Sequence, residues 1–137
     1  MGKNFILWND YYKKNFRELY EKALNFRDED GNIIFPEDVN QYDFYKKLFT
    51  TVVELLKLYL NNNGIFQFEK YEVIREAFYI ELLEDGDIWM TALNLYTVSA
   101  QRKREEFNNL FATWLSTNFN IFDHIVDKFS QMVSENE

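Results

Sequence analysis

One proline and four glycines in 137 residues are what most limits the folds open to this chain. Turn-dense β-sandwiches, collagen and disordered linkers need φ-locked or positive-φ residues far more often, so long helices are expected. The length suits a single domain, and 47% hydrophobic residues can fill its core without metal or disulfide help. Cysteine is absent, which removes disulfide scaffolds, thiol nucleophiles and iron-sulfur clusters and makes a cytoplasmic, redox-indifferent protein the expectation. A net charge of −8 repels phosphate, so general nucleic-acid binding is disfavoured. The apolar run Phe5 to Trp8 meets charge at Asp10, too soon for a signal-peptide core or a membrane span, so a soluble, unprocessed chain is expected.

Trp8, Tyr12, Phe16, Leu19, Ala23 and Phe26 recur at steps of three and four, which predicts one amphipathic helix from Phe5 to Phe26. Asp28 to Gln41 holds Gly31-Asn32 and Pro36 and reads as the longest loop. Tyr42 to Leu60 follows the helical period again, closed by Asn61-Asn62-Asn63-Gly64. A third helix begins near Tyr71, with Ile74, Ala77, Phe78 and Leu82 expected inward, and stops before Asp85-Gly86; Asp85 or Asp87 caps the next. Ile88 to Val133 holds no proline and reads as two helices with a boundary near Val98 to Arg102 or as one continuous helix, with Ser116-Thr117-Asn118 as a possible break. The predicted architecture is all-α: an antiparallel bundle of four or five helices in one domain spanning 1–137.

Candidate chemistry is sparse. His124 is the only imidazole, flanked by Phe122, Ile125 and Val126, with no orienting partner visible in sequence. Asp28, Asp30 and Asn32 imitate the start of a calcium loop, but Ile33 stands where that loop needs glycine and Val39 where it needs glutamate, so a solvated acidic loop is the better account. Glu81, Glu84, Asp85 and Asp87 crowd one helix junction, where capping outweighs acid-base work. Arg102, Lys103 and Arg104 form the densest basic patch. Glu106, four residues beyond Arg102, favours a salt-bridged surface over a phosphate or partner contact there. No Walker loop, dinucleotide fingerprint, nucleophile elbow or zinc motif is found, and no cofactor or metal is expected. Tyr11, Tyr20 and Tyr79 exceed what one small core hides, which points to burial against a second chain.

The run from Ile74 to Leu93, with Arg75-Glu76-Ala77-Phe78, then Asp85-Gly86-Asp87, then Trp89, resembles the central signature of the nucleotidyltransferase substrate-binding proteins, which are HEPN-type helical bundles. Tyr45 to Ile65 is similar to the preceding Phe-rich helix of that family, so the resemblance spans roughly Tyr42 to Leu93. Two departures are plain: the family's usual Trp in that helix is Val53 here, and its usual Gly between the two apolar pairs is Glu81. Members with ribonuclease activity carry Arg-Asn, then His, then Tyr beyond the Trp. In that register this chain has Tyr96, Thr97, Gln101 and Lys103. A phenol and an amide cannot hold phosphate or move a proton as a guanidinium and an imidazole do near neutral pH. The missing Tyr also puts in doubt the adenylylation that the paired nucleotidyltransferase performs on some members.

The resemblance therefore implies a non-catalytic HEPN-like protein, a homodimer that binds a small nucleotidyltransferase in a toxin-antitoxin-like module. A second expectation, from charge alone, is an acidic inhibitor or regulator in the basic groove of a nuclease or other nucleic-acid enzyme. A third is a residual metal-independent ribonuclease assembled from Arg102, Arg104, Tyr96 and His124.

Overall fold

The computed structural model describes the backbone at 3–67, 69–101 and 108–136, with side chains at 7–67, 69–101 and 110–135. Its described residues are all-helical apart from one isolated bridge between Arg27 and Ile33. Helix α1 (Lys3–Tyr11), a π-helical stretch (Tyr12–Phe16) and α2 (Arg17–Asn25) follow one another without a loop. The π turn corrects the expectation of one regular helix, and its reason lies in the spacing. Trp8, Tyr12, Phe16 and Tyr20 are all buried at strict intervals of four. At 3.6 residues per turn each such step drifts by about 40°, so an unbroken α-helix would carry Tyr20 off the face that buries Trp8. The wider π turn absorbs that drift. Tyr12, Phe16 and Tyr20 then stack, with centroids 6.1 and 6.0 Å apart.

The loop after α2 is tied down rather than loose. The Asp28 carboxylate accepts the amide hydrogens of Asp30 and Asn32, both at 2.9 Å, and Gly31 turns the chain at φ +85°. The calcium-like spacing is thus a backbone turn built on Asp28. Ile33 is buried, and its amide donates to Ser116 Oγ at 2.7 Å.

Helix α3 (Gln41–Asn62) is the central element. Asn40 caps it by accepting the Asp43 amide hydrogen, and Gly64 at φ +81° ends it, with Gly64 N–H bonded to Asn61 O and Ile65 N–H to Leu60 O. Tyr42, Phe44, Tyr45, Leu48, Phe49, Val52, Val53, Leu55, Leu56 and Leu60 are all buried, more than one stripe of a helix can account for. Its neighbours are α1, the π stretch, α4 (Lys70–Tyr79), α5 (Gly86–Gln101) and α6 (Asn108–Asn118).

Helix α4 closes with the same pair of bonds as α3, Glu81 N–H to Phe78 O and Leu82 N–H to Ala77 O, but Glu81 takes the left-handed position at φ +66°. Glycine takes such a left-handed position without steric cost. Leu82 is buried as expected, whereas Phe78, expected inward, is 42% exposed. Phe78 lies inside α4 with its ring against Gly86 at the start of α5, and after the two closing bonds Leu82 and Leu83 enter the core.

Helix α6 ends at Asn118 and α7 (Asn120–Asn136) begins two residues on, so one division of the stretch from Ile88 falls here, while what joins Gln101 to Asn108 lies outside the described residues. The break falls at Ser116-Thr117-Asn118. Each of these side chains donates to the carbonyl four residues back, a pattern that bends helices, and Phe119 drops into the core against Tyr20. Tyr20, expected to be surplus, is buried and donates its hydroxyl to Asp123 Oδ1 at 2.6 Å, while Tyr11 is half-buried. No helix among the described residues is long and apolar enough to cross a membrane.

Two outcomes follow. Glu81→Gly relieves a left-handed glutamate and is expected to raise stability by about 1 kcal/mol, a midpoint rise of roughly 3–5 °C by thermal denaturation. The Tyr45 hydroxyl donates to Ala92 O at 2.7 Å, and burial raises its phenol far above the ordinary value of 10.0. The unfolded chain releases that proton near pH ~10 while the folded one holds it, so stability is whole below that pH and falls as pH rises past it. Tyr45→Phe loses about 1 kcal/mol at neutral pH, and its stability declines less steeply above pH ~10 in urea titrations.

Candidate functional site

The residues of the signature meet at the corner between α4 and α5. Asp85 accepts the Ile88 amide hydrogen at 3.2 Å, so of the two candidates it is Asp85 that caps α5. Gly86 lets the Phe78 ring lie against the start of α5, since a Cβ there would stand 3.2 Å from Phe78 Cδ2. Trp89, one turn on, is buried edge-on against Phe122 of α7 at 5.5 Å. Arg75 stays at the surface, 3.7 Å from Glu76 and 3.9 Å from Glu72, with its guanidinium 5.8 Å above the Tyr71 ring. Trp89, Leu82 and Leu83 thus pin the corner to the core.

What they pin is an aromatic surface. Tyr79 is 67% exposed and Tyr71 52%; Ile80 is also exposed, and the Phe78 and Tyr79 rings touch at 6.4 Å between centroids. A groove of about 410 Å³ runs beside Phe78, lined by Tyr71, Arg75, Asp85, Asp87 and Met90 among others. A second hollow of about 510 Å³ lies around Tyr79, Glu81, Glu84 and Lys128. Of the three tyrosines expected to be surplus, only Tyr79 belongs to this surface.

Sequence reasoning missed the partner of His124. Its Nε2 lies 2.9 Å from Glu84 Oε1 without the geometry of a hydrogen bond, a close polar contact that is an ion pair only when the imidazole carries a proton on both nitrogens. The approach joins α7 to the α4–α5 corner and borders a cleft of about 250 Å³ with Asp85, Trp89 and Asn120. Among the described residues no arginine, serine or threonine lines that cleft. Nothing in the sequence could reveal the pair, because its members stand forty residues apart.

The positions of the degenerate ribonuclease motif are spread along α5. Tyr96 stacks on Phe49 of α3 at 5.2 Å, under Lys70 Nζ at 5.4 Å from its ring. Thr97 Oγ1 donates to the Leu93 carbonyl, and Gln101 is exposed at the end of α5. Neither Tyr96 nor Gln101 lines any of the three hollows above. Arg102, Lys103 and Arg104 lie outside the described residues. Tyr96 packs on α3 and His124 faces Glu84, so the two described members of the proposed residual ribonuclease meet different neighbours.

A further groove, about 620 Å³, runs between the π stretch and α7, lined by Lys13, Lys14, Arg17, Ser130 and Ser134 among others. Its cations are offset by Glu18 and Glu21, the latter paired with Arg17. The run Lys13-Lys14 was its signal in sequence. No group of three metal-ligating side chains occurs among the described residues. No protein-family model matches the chain, and neither a curated protein nor a solved structure shows significant similarity to it.

The capping role of Asp85 is separable from acid-base work by substitution. Asp85→Ala is expected to cost about 1 kcal/mol and Asp85→Asn only a few tenths, since an amide oxygen caps nearly as well, as measured by urea unfolding.

Proposed function

We propose that the chain is a non-catalytic binding module, an antiparallel HEPN-like bundle of four or five main helices acting in the cytoplasm, and that its partner is a small nucleotidyltransferase in a toxin-antitoxin-like pair. The observation that carries the reading is the corner itself. Residues of the signature, Arg75, Phe78, Asp85 and Gly86, support an exposed aromatic surface, and the core supplies only its footing. Exposed rings gathered on one helix face are the composition of a protein interface. The positions that carry guanidinium and imidazole in ribonuclease members hold Tyr96 and Gln101, a core-packed phenol and a solvent-facing amide.

A second reading, the acidic regulator, draws on the carboxylates of Glu81, Glu84, Asp85 and Asp87 around the same corner. Both readings make the chain a partner of another protein, and both differ from a ribonuclease.

Co-expression with a nucleotidyltransferase encoded beside this chain tests the first reading. The two proteins are expected to co-purify, with no RNA turnover by this chain alone. RNA cleavage that falls with His124→Ala, or a neighbouring nucleotidyltransferase that elutes separately, overturns it. Light scattering of the isolated chain reads the accompanying homodimer.

A further inference from the structure

We infer that the α4–α5 corner takes a segment of a different polypeptide that presents apolar side chains together with arginine or lysine, and that it does not take a second copy of this chain. The inference rests on the reading of the chain as a binding module and specifies the chemistry of the occupant.

The apolar half of the argument is Tyr71, Phe78, Tyr79 and Ile80, all exposed within ten residues. Single exposed apolar side chains are ordinary on a monomer, whereas a gathered aromatic face with a hollow on each side is not. Phe78 cannot retreat, because the end of α4 is fixed by the bonds from Glu81 and Leu82 and the ring already rests against Gly86.

The electrostatic half chooses the occupant. Glu72, Glu76, Glu81, Glu84, Asp85 and Asp87 border or underlie this face, against the cations Arg75 and Lys128. Arg75 lies at the surface, where Glu72 and Glu76 offset its charge and its guanidinium already stands over the Tyr71 ring. Carboxylates outnumber cations around Phe78 and Tyr79, so the field there is negative. A guanidinium arriving there meets both the face of Tyr79 and the carboxylates beside it, two attractions that reinforce each other. A second copy of the chain meets the opposite situation. A two-fold contact sets the same surface against itself, bringing Glu84 and Asp87 toward their own counterparts with few cations to separate them. Any homodimer must form elsewhere. Phosphate-bearing partners are repelled for the same reason.

The test titrates the full chain into a fluorescent synthetic peptide of leucine and arginine, with a leucine and glutamate peptide as control, read by anisotropy at low and high salt. The leucine-arginine peptide is expected to bind and the control not to. Tyr79→Ala weakens binding about tenfold, as removal of a central aromatic does. The pair Glu84→Gln and Asp87→Asn weakens it several-fold and flattens its salt dependence. Glu29→Gln, in the distant loop, leaves it unchanged. Circular dichroism verifies that each variant folds. Equal binding of both peptides, no binding, or an equal loss with Glu29→Gln overturns the inference, as does a dimer that Tyr79→Ala dissociates. If a nucleotidyltransferase co-purifies with wild type and Tyr79→Ala alike while the peptide fails to bind, the occupant is wrong and the binding module stands. If the peptide binds as described and the nucleotidyltransferase does not, the corner stands and that choice of partner falls.

Discussion

A column of stacked rings holds the two ends of the chain together. Phe129 of α7 stacks on Tyr12 at 5.6 Å, Tyr12 and Phe16 and Tyr20 follow along the N-terminal rod, and Tyr20 ends against Phe119 at 5.7 Å. Each such pair adds about 0.5–1.5 kcal/mol to the area it buries. Polar ends fix the register: the Tyr12 hydroxyl contacts Ser130 Oγ and donates to the Val126 carbonyl, and the Tyr20 hydroxyl donates to Asp123. Burial, and then the Asp123 carboxylate, raise the Tyr20 phenol so that it stays a donor throughout the ordinary pH range. The π turn exists because this column needs a ring every fourth residue on one face, and the kink at Phe119 supplies its last member.

The column fixes α7, and α7 fixes the candidate site. Phe122 and His124 project from the same helix as Phe129, one against buried Trp89 and one toward Glu84. The α4–α5 corner is held from beneath by Trp89, Leu82 and Leu83 and from the side by the His124 approach. Its aromatics are presented outward by a rigid mount. Such a mount keeps large apolar side chains in water at a cost that folding alone does not recover, and this is the physical reason for placing binding there.

Much of this was legible in the residues. The helical period of Tyr42 to Leu60 and the Asn-Gly stop at Gly64 marked α3 correctly, and Asp85 was one of two cap candidates with Asp87. Ser116 to Asn118 marked the break before α7. Phe78 was misassigned because a helical stripe says which residues share a face and not which of them the packing of the next segment covers; its ring lies against Gly86, at the rim of the α4–α5 corner. Tyr20 was misassigned because its partner Asp123 lies far along the chain, and one ring looks like another until its neighbour is known.

The amino-acid order by itself determined the class of fold, since so few prolines and glycines allow little besides helices, and it determined the acid excess that repels phosphate. It also determined that positions 96 and 101 hold a phenol and an amide, with neither a guanidinium nor an imidazole at either. Only the tertiary structure decided which rings are core and which are surface, and that His124 meets Glu84 rather than a cation. The reason is one of range. Periodicity and capping act over a few residues, while burial and ion pairing depend on which distant segment the packing of α3 and α7 brings alongside.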